Sequence, residues 1–292
     1  MRIGVRQLRF IVPALALTCA AAAAGVVVRD DAGEDVRLAV PARRIVTLAP
    51  SATELVFAAG AGARIVGTVD TSDFPPAARS IARIGDVHAI DLERIVALTP
   101  DLVVTWPYTT PAQVARLRAR GVAVFVADPK SIDGIASDIE RLGALAGTGA
   151  EAAAAAASFR RGVDTLRDRY GGRKPLRVFY EIWDPPLYTI GGPHLISEAI
   201  ALCGGANVFS ALSLPAPEVS VEAVLAARPD VIVAGADGAV RPAWLDQWKR
   251  WPDLPAARAN HLYVVDANLL HRYSPRFVDG AAALCAVLDA AR

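Results

Sequence analysis

The chain has 292 residues, of which 31 are Lys or Arg and 30 are Asp or Glu, and 53% of its residues are hydrophobic. This nearly balanced charge excludes a basic nucleic-acid-binding domain, which would need a strongly positive face. The length exceeds that of one typical domain, so two lobes are expected.

Residues 1–24 have the order of a secretory signal peptide. Three arginines precede an apolar stretch at 10–17, and small residues fill 20–25. This order predicts export to the periplasm with cleavage of the signal. An uncleaved membrane anchor is the alternative, but Pro13 and the weakly hydrophobic alanine run disfavour it, because a spanning helix needs about 20 strongly apolar residues.

Cysteine usage agrees with export. Once Cys19 leaves with the signal, Cys203 and Cys285 remain as an even pair in an oxidising compartment. We expect a disulfide between them, the alternative being two unrelated buried thiols. Their wide separation lacks the spacing of zinc ligands, so no metal site is expected.

Strand and helix patterns alternate along the chain, which predicts parallel sheets covered by helices. The predicted strands are 45–48, 102–105, 122–126, 177–182, 231–233 and 262–265. Helices are predicted from 51, at 132–145 and 197–203, and from 275. Ser51 and Glu54 have the spacing of a capping box at the start of the first of these helices.

A long helical segment at 148–170 interrupts this alternation. Thr148 and Glu151 are spaced as a second capping box, and two glycines at 171–172 supply the stop. At 1.5 Å per residue this helix would be about 35 Å long, more than a crossover inside one lobe requires. The predicted layout is a signal at 1–24, an α/β lobe at 25–147, a bridging helix at 148–171 and a second α/β lobe at 172–292.

An internal repeat indicates that the two lobes are equivalent. The segment LERIVALTPDLVV (92–104) aligns without a gap with VEAVLAARPDVIV (221–233). TELVFAAGAG (53–62) likewise resembles SEAIALCGGA (197–206). The sequence therefore predicts two Rossmann-like α/β lobes joined by one long backbone helix, with a cleft between them.

No catalytic constellation accompanies this architecture. The sequence holds four histidines and no HExxH, GxSxG or phosphate-binding loop. Gly60 and Gly62 end a helix rather than follow a strand, which favours a helix stop over a dinucleotide turn. We therefore expect a binding protein and no enzyme, with an exported hydrolase as the distant alternative.

Aromatic residues follow two of the predicted strands. Trp106 and Tyr108 come after the strand at 102–105, and Trp183 and Tyr188 come after the strand at 177–182. Loops at the carboxyl ends of parallel strands are where open α/β sheets bind ligands, and aromatics there suit a planar or bulky small molecule. A core role is the alternative for each. Three further tryptophans recur at helical spacing and are expected to pack in the core: Trp244, Trp248 and Trp251.

Several segments resemble the periplasmic receptors for cobalamin and their relatives for ferric siderophores and haem. They are RIVTLAPSATELVFAAGA (44–61), TSDFPP (71–76), LERIVALTPDLVV (92–104) and CGGANVF (203–209). The resemblance implies a solute-binding protein that takes a corrinoid in its cleft, and the two lobes with aromatic loops and no catalytic constellation lead us to expect a monomer. The resemblance also implies delivery to an inner-membrane ABC permease dimer that has a cytoplasmic ATPase.

Residue by residue, the resemblance places Pro50, Trp106 and Arg272 at the ligand. Asn268 stands where the relatives carry an acid, and the relatives' aromatics are replaced at Thr71, Val87 and Ala216. Trp183 and Tyr188 could compensate from the other lobe. A corrinoid is thus the first expectation, and a ferric siderophore or haem is the alternative. Haem would want an axial ligand, for which the candidates are His88, His271 and Tyr108.

Glu93 and Glu222 occupy equivalent places in the repeat. Each follows a candidate N-cap, Asp91 or Ser220, by two residues. In the family that the chain resembles, the matching glutamates pair with arginines of the permease dimer, so docking is expected here. Ordinary helix-start acids are the alternative, since the helix dipole favours them with no partner at all. A stand-alone carrier would share the fold without this docking role.

Overall fold

The computed structural model describes residues 25–87 and 89–292. The predicted signal segment 1–24, with Cys19, therefore lies outside the described residues, as does the candidate haem ligand His88. No helix in the described part of the chain is long and apolar enough to cross a membrane.

The N-terminal lobe is built on a parallel sheet of four strands. These are β3 (Ile45–Thr47), β4 (Ile65–Thr68), β5 (Leu102–Thr105) and β6 (Ala123–Val126), in the order β4-β3-β5-β6, preceded by an antiparallel hairpin of β1 (Val26–Arg29) and β2 (Asp35–Leu38). The accompanying helices are α1 (Pro50–Ala58), α2 (Leu92–Ala97), α3 (Pro111–Arg118) and α4 (Ile132–Ala146). The sequence did not predict the hairpin or β4.

The C-terminal lobe repeats this plan. Its strands are β7 (Leu176–Trp183), β8 (Tyr188–Thr189), β9 (Gly205–Asn207), β10 (Val231–Ala236) and β11 (Leu262–Asp266). The parallel strands run β9-β7-β10-β11, and β8 pairs antiparallel with β7. The helices are α6 (Leu195–Leu202), α7 (Val221–Ala227), α8 (Pro255–Arg258), α9 (Ala267–Leu270) and α10 (Phe277–Ala290).

In both lobes the parallel strands lie in the same order across the sheet: the second strand along the chain, then the first, the third and the fourth. The internal repeat of the sequence therefore corresponds to a repeated sheet topology. In both lobes, an aspartate before the third strand accepts a hydrogen bond from the backbone at the start of the first. The Asp101 carboxylate accepts from the N–H of Arg44 at 2.9 Å, and the Asp230 carboxylate from that of Arg177 at 2.9 Å. The repeated Pro-Asp pair therefore joins neighbouring strands in each lobe.

One helix, α5 (Gly149–Tyr170), connects the lobes. Its 22 residues pack against α4 and α1 of the first lobe and against α6 and α10 of the second. Buried side chains of both lobes consequently form one continuous core around it, including Phe125, Phe159 and Tyr180. The predicted fold class, two Rossmann-like lobes joined by a long helix, is what the structure has.

Both predicted capping boxes are wrong. α1 begins at Pro50 after Ala49 with no side-chain cap, and Glu54 turns away to the other lobe. At α5 the Thr148 hydroxyl donates to the carbonyl of Ala59 rather than capping its own helix. In each case a partner distant in sequence replaces the local contact that the spacing suggested.

Two other sequence predictions are confirmed. Cys203 and Cys285 form a disulfide that joins the end of α6 to α10, and both residues are buried. Trp248 is fully buried in a second hydrophobic cluster on the outer face of the C-terminal sheet, and Trp244 and Trp251 pack against that cluster. These three tryptophans thus stabilise the lobe.

Glu181 is a buried carboxyl group beneath Trp248. The Trp248 Nε1–H donates to Glu181 Oε2 at 2.8 Å, while Oε1 has no partner among the described residues. Desolvation raises the pKa of Glu181 to about 8, against the opposing effect of the Trp248 hydrogen bond. The native state therefore holds this carboxyl protonated at neutral pH.

The buried Glu181 predicts a pH-dependent stability. Between pH 4.5, the ordinary pKa of a glutamate, and about pH 8, the native state keeps the Glu181 proton whereas the unfolded state has released it. The free energy of unfolding is therefore highest at low pH and falls as pH rises through this window. Glu181→Gln keeps an acceptor for Trp248 and cannot ionise. Its free energy of unfolding relative to the parent protein should improve by up to about 1.4 kcal/mol per pH unit across the window. Urea unfolding at pH 5, 6, 7 and 8 measures this, with the more exposed Glu140→Gln as control. A difference independent of pH would contradict it.

Candidate ligand-binding site

A cavity of about 490 Å³ lies in the cleft where the carboxyl ends of the two sheets face each other. Ligand pockets are typically of this size and occur at such crevices. The N-terminal lobe contributes Ser51 and Leu55 from α1, residues 106–108 after β5, and residues 127–130 after β6. The C-terminal lobe contributes Ile182, residues 193–195, Pro215, Ala216, His271 and Tyr273.

Trp106 and Tyr108 form the aromatic wall of the N-terminal side. Their rings meet edge to face with centroids 4.9 Å apart. The loop is fixed because the Thr109 N–H donates to the Trp106 carbonyl at 2.9 Å. Tyr108 is 65% exposed, and the buried Trp106 Nε1–H has no partner among the described residues. This wall offers flat apolar area and one unpaired donor.

The opposite wall carries His194, Tyr273 and His271. The His194 Nδ1 accepts from the backbone N–H of Ile196 at 3.2 Å and so caps α6. The Tyr273 hydroxyl lies 3.3 Å from His194 Nε2, and the Tyr180 hydroxyl lies 3.0 Å from His271 Nε2. Desolvation lowers the pKa of the partly buried His194 to about 4 and shifts the pKa of the more exposed His271 in the same direction. Both rings are therefore neutral at pH 7.

An ion-pair cluster joins the lobes beside this cavity, and we call it the clasp: Glu54, Asp73, Asn268, Arg272, Ser274 and Arg276. Glu54, 3% exposed, accepts from Arg276 Nε at 2.9 Å, from Ser274 Oγ at 2.6 Å and from Arg272 Nη1 at 3.2 Å. Arg272 also donates to Asp73 Oδ1 at 2.6 Å and to Asn268 Oδ1 at 2.7 Å. Hydrogen bonding to Glu54 raises the pKa of Arg276. The clasp therefore holds the two lobes together at one edge of the cleft.

The structure separates the predicted ligand residues into three groups. Trp106 and Tyr108 line the cavity together. Asn268 and Arg272 lie in the clasp. A third group lies outside the cavity lining: Pro50 at the first position of α1, Tyr188 in β8, and Trp183, which is 58% exposed with its Nε1–H donating to the Pro185 carbonyl at 2.9 Å.

Sequence reasoning missed several cavity residues, chiefly Lys130, His194 and Tyr273. His194 follows the turn at 190–193 and is the N-cap of α6. Its place at the start of a helix that follows a strand was the one sequence feature that could have indicated a position at the cleft. Tyr273 lies in the segment HRYSPRF, where only Arg272 attracted attention. Within the described residues, no group of three or more His, Cys, Asp or Glu side chains could hold a metal ion.

Comparisons with known proteins agree with this geometry. A profile described as periplasmic binding protein matches residues 45–269. A vitamin B12-binding protein of Vibrio cholerae serotype O1 is 35% identical over 254 residues, covering 86% of this chain and 91% of the relative. The chain belongs to the periplasmic binding protein family.

Solved structures give the same result. The periplasmic vitamin B12 binding protein of Vibrio cholerae superposes with a TM-score of 0.79 at 34% identity, covering 86% of this chain and 98% of that one. A periplasmic haem-binding protein from Roseiflexus sp. RS-1, in apo form, superposes with a TM-score of 0.74 at 26% identity, covering 86% and 99%. The similarity thus spans both lobes and the bridging helix.

The clasp predicts a strong dependence of stability on Glu54. Glu54→Gln removes the negative charge facing two arginines whose side chains are 15% and 20% exposed. We expect a loss of about 2–4 kcal/mol in the free energy of unfolding, since breaking a buried pair leaves charge without compensation. Glu140→Gln breaks a more exposed pair with Arg160 and should change it by about 1 kcal/mol or less. Denaturant unfolding of the two variants at pH 7 measures this difference. Equal losses in the free energy of unfolding would show that the clasp stabilises the protein no more than an exposed ion pair does.

Proposed function

We propose that this chain is the periplasmic solute-binding component of an ABC importer, and that it binds cobalamin or a related corrinoid in the cleft between its lobes. In this proposal it is an exported monomer that acts by binding and release, without turnover. The observation that carries the proposal is the aromatic-walled cavity between the two lobes. The similarity to proteins named for binding vitamin B12, over most of both chains, supports the choice of ligand.

A haem or a ferric siderophore is the second candidate. It is supported by the similarity to a structure named as a haem-binding protein. Titration of the mature protein by tryptophan fluorescence with cyanocobalamin, cobinamide, haemin and a ferric siderophore distinguishes the candidates. Saturable binding of the corrinoids at the lowest concentration supports the first proposal, and tighter binding of haemin or the siderophore replaces it.

Trp106 is predicted to be an anchor for the ligand. Trp106→Ala removes half of the aromatic wall and should weaken corrinoid binding by about 1–3 kcal/mol with little change in the melting temperature. Trp183→Ala is the matched variant, because Trp183 is also at a strand end, as the last residue of β7, but lies outside the cavity. It should therefore affect only a ligand that extends beyond the cavity. Calorimetric titration of both variants measures this. Normal binding by Trp106→Ala together with a much lower melting temperature would show that Trp106 packs in the core and does not contact the ligand.

Docking to the permease is proposed to use Glu93 and Glu222. Both are exposed in the first turn of equivalent helices, α2 and α7. The N-caps are formed as the sequence predicts: Asp91 accepts from the Arg94 N–H at 3.0 Å, and Ser220 from the Ala223 N–H at 3.2 Å. Hydrogen bonds from its own backbone and from Ser220 lower the pKa of Glu222. Each lobe thus offers one carboxylate to a two-fold symmetric permease dimer with its ATPase.

Charge reversal tests this docking surface. The double variant Glu93→Lys/Glu222→Lys should bind corrinoid normally but lose most association with the permease, and the parent association should weaken with added salt because charge pairs mainly steer encounter. Glu151→Lys, which changes the first-turn acid of α5, is the control. Transport in reconstituted vesicles provides the measurement. Full transport by the double variant would show that both glutamates only stabilise the N-termini of their helices and do not dock to the permease.

A further inference from the structure

The C-terminal wall of the cavity contains a pair formed by a buried tyrosine and an exposed histidine, and the following inference rests on the proposed function. Tyr180 is fully buried, and its hydroxyl lies 3.0 Å from His271 Nε2. The pair sits directly over Gly235, where a Cβ atom would lie 2.5 Å from the Tyr180 hydroxyl and 2.7 Å from His271 Nε2. Only glycine leaves room here, so β10 provides a cradle for this pair.

The direction of this hydrogen bond follows from the number of protons available. Burial raises the pKa of Tyr180, so the phenol keeps its proton, and His271 Nε2 is the one hydrogen-bond partner of its hydroxyl among the described residues. A buried hydroxyl proton without an acceptor is unfavourable. The Tyr180 O–H therefore donates to Nε2, and the neutral imidazole carries its own proton on Nδ1. His271 thus presents an N–H donor on its remaining nitrogen.

The His194–Tyr273 pair reaches the same result by a different route. His194 Nδ1 already accepts from the Ile196 N–H, so the proton of the neutral ring is on Nε2. The Tyr273 hydroxyl lies 3.3 Å from Nε2 and 3.5 Å from Nδ1, so it forms no short hydrogen bond with either nitrogen. Desolvation raises the pKa of Tyr273, so its hydroxyl keeps its proton. His194 does not accept this proton, because its Nδ1 lone pair is already occupied, and Tyr273 lines the cavity. Tyr273 therefore becomes a second donor toward a bound ligand.

A third donor comes from the opposite wall. The Trp106 Nε1–H is buried, lacks a partner among the described residues, and belongs to a ring that lines the same cavity. Three N–H or O–H groups from both lobes are thus candidates, of which the Trp106 N–H has almost no accessible surface and needs a shift of its ring to reach a ligand. Each lone pair of the two imidazoles is occupied or protonated. An imidazole in this state can hydrogen-bond to a ligand but cannot coordinate its metal.

We propose that the cavity selects its ligand by donating hydrogen bonds from Trp106, His271 and Tyr273 to acceptor oxygens on the edge of a metal chelate, and that neither His194 nor His271 supplies a ligand to the metal. The chemical class that fits is a chelate with peripheral carbonyl, carboxylate or phosphate oxygens that brings its own axial ligands. Tyr180 and Gly235 act as positioning residues, because they hold the His271 lone pair away from the ligand.

Absorption spectroscopy with diaquacobinamide and haemin tests this, since both probes have exchangeable axial positions. The spectrum of each probe with free imidazole gives the reference for nitrogen coordination. With the parent protein, bound diaquacobinamide should keep its water-ligated spectrum, and haemin should not acquire the imidazole type. An imidazole-type spectrum that disappears in His194→Gln or His271→Gln would overturn the inference while leaving the proposed function intact. Failure of both probes to bind would overturn the two together.

Tyr180→Phe provides the sharper variant. Without the hydroxyl donor, the His271 proton can move to Nε2 and free the Nδ1 lone pair toward the cavity. This variant should acquire an imidazole-type spectrum with diaquacobinamide, and the double variant Tyr180→Phe/His271→Gln should not. Trp106→Phe, which keeps an aromatic ring but removes the donor, should weaken corrinoid binding roughly 2- to 10-fold. A Tyr180→Phe protein that binds the probe with an unchanged water-ligated spectrum would show that Tyr180 does not mask His271.

Discussion

The buried carboxylate of Glu54 is the constraint on which the cleft depends. It lies within α1 of one lobe, yet its hydrogen-bond donors are Arg272, Ser274 and Arg276 of the other. A carboxylate removed from water is unfavourable unless charged donors surround it, so the clasp forms only when the lobes adopt this relative position. The cavity residues Ser51 and Leu55 lie on the same helix, and Tyr273 lies between two donors of the clasp. The same segments therefore set the lobe position and line the cavity.

The bridging helix adds a second constraint on lobe movement. Because α5 packs on both lobes within one continuous core, a wide hinge opening would expose buried side chains from each of them. Exposing apolar area costs about 25 cal/mol per Å², so large rotations are unfavourable and small adjustments at the cleft are preferred. Movements of whole lobes are therefore expected to be small compared with adjustments of exposed side chains at the mouth of the cavity, such as Tyr108.

The sequence predicted what depends on local pattern and missed what depends on distant partners. Strand β5 and helix α4 agree with the structure to within one residue, because hydrophobic periodicity determines them. Glu54 had the spacing of a capping box, but its partners lie more than 200 residues away, and no local rule contains them. The outward position of Trp183 was equally hidden, since which strand-end aromatic faces the cavity depends on how two sheets meet.

The repeat extends to the contacts between the lobes. Aligning TELVFAAGAG with SEAIALCGGA places Glu54 of α1 opposite Glu198 of α6. Glu54 accepts from residues at the start of α10, and Glu198 accepts from the backbone N–H of Ile132 at the start of α4, at 2.8 Å. Each lobe therefore sends one glutamate from its first helix to the last helix of the other. The two contacts differ in strength, because Glu54 meets two arginines whereas the exposed Glu198 meets a backbone amide at a helix N-terminus. The clasp is therefore the stronger of the two side-chain contacts, whereas the Glu198 contact lies beside the bridging helix, whose continuous core already restrains that edge.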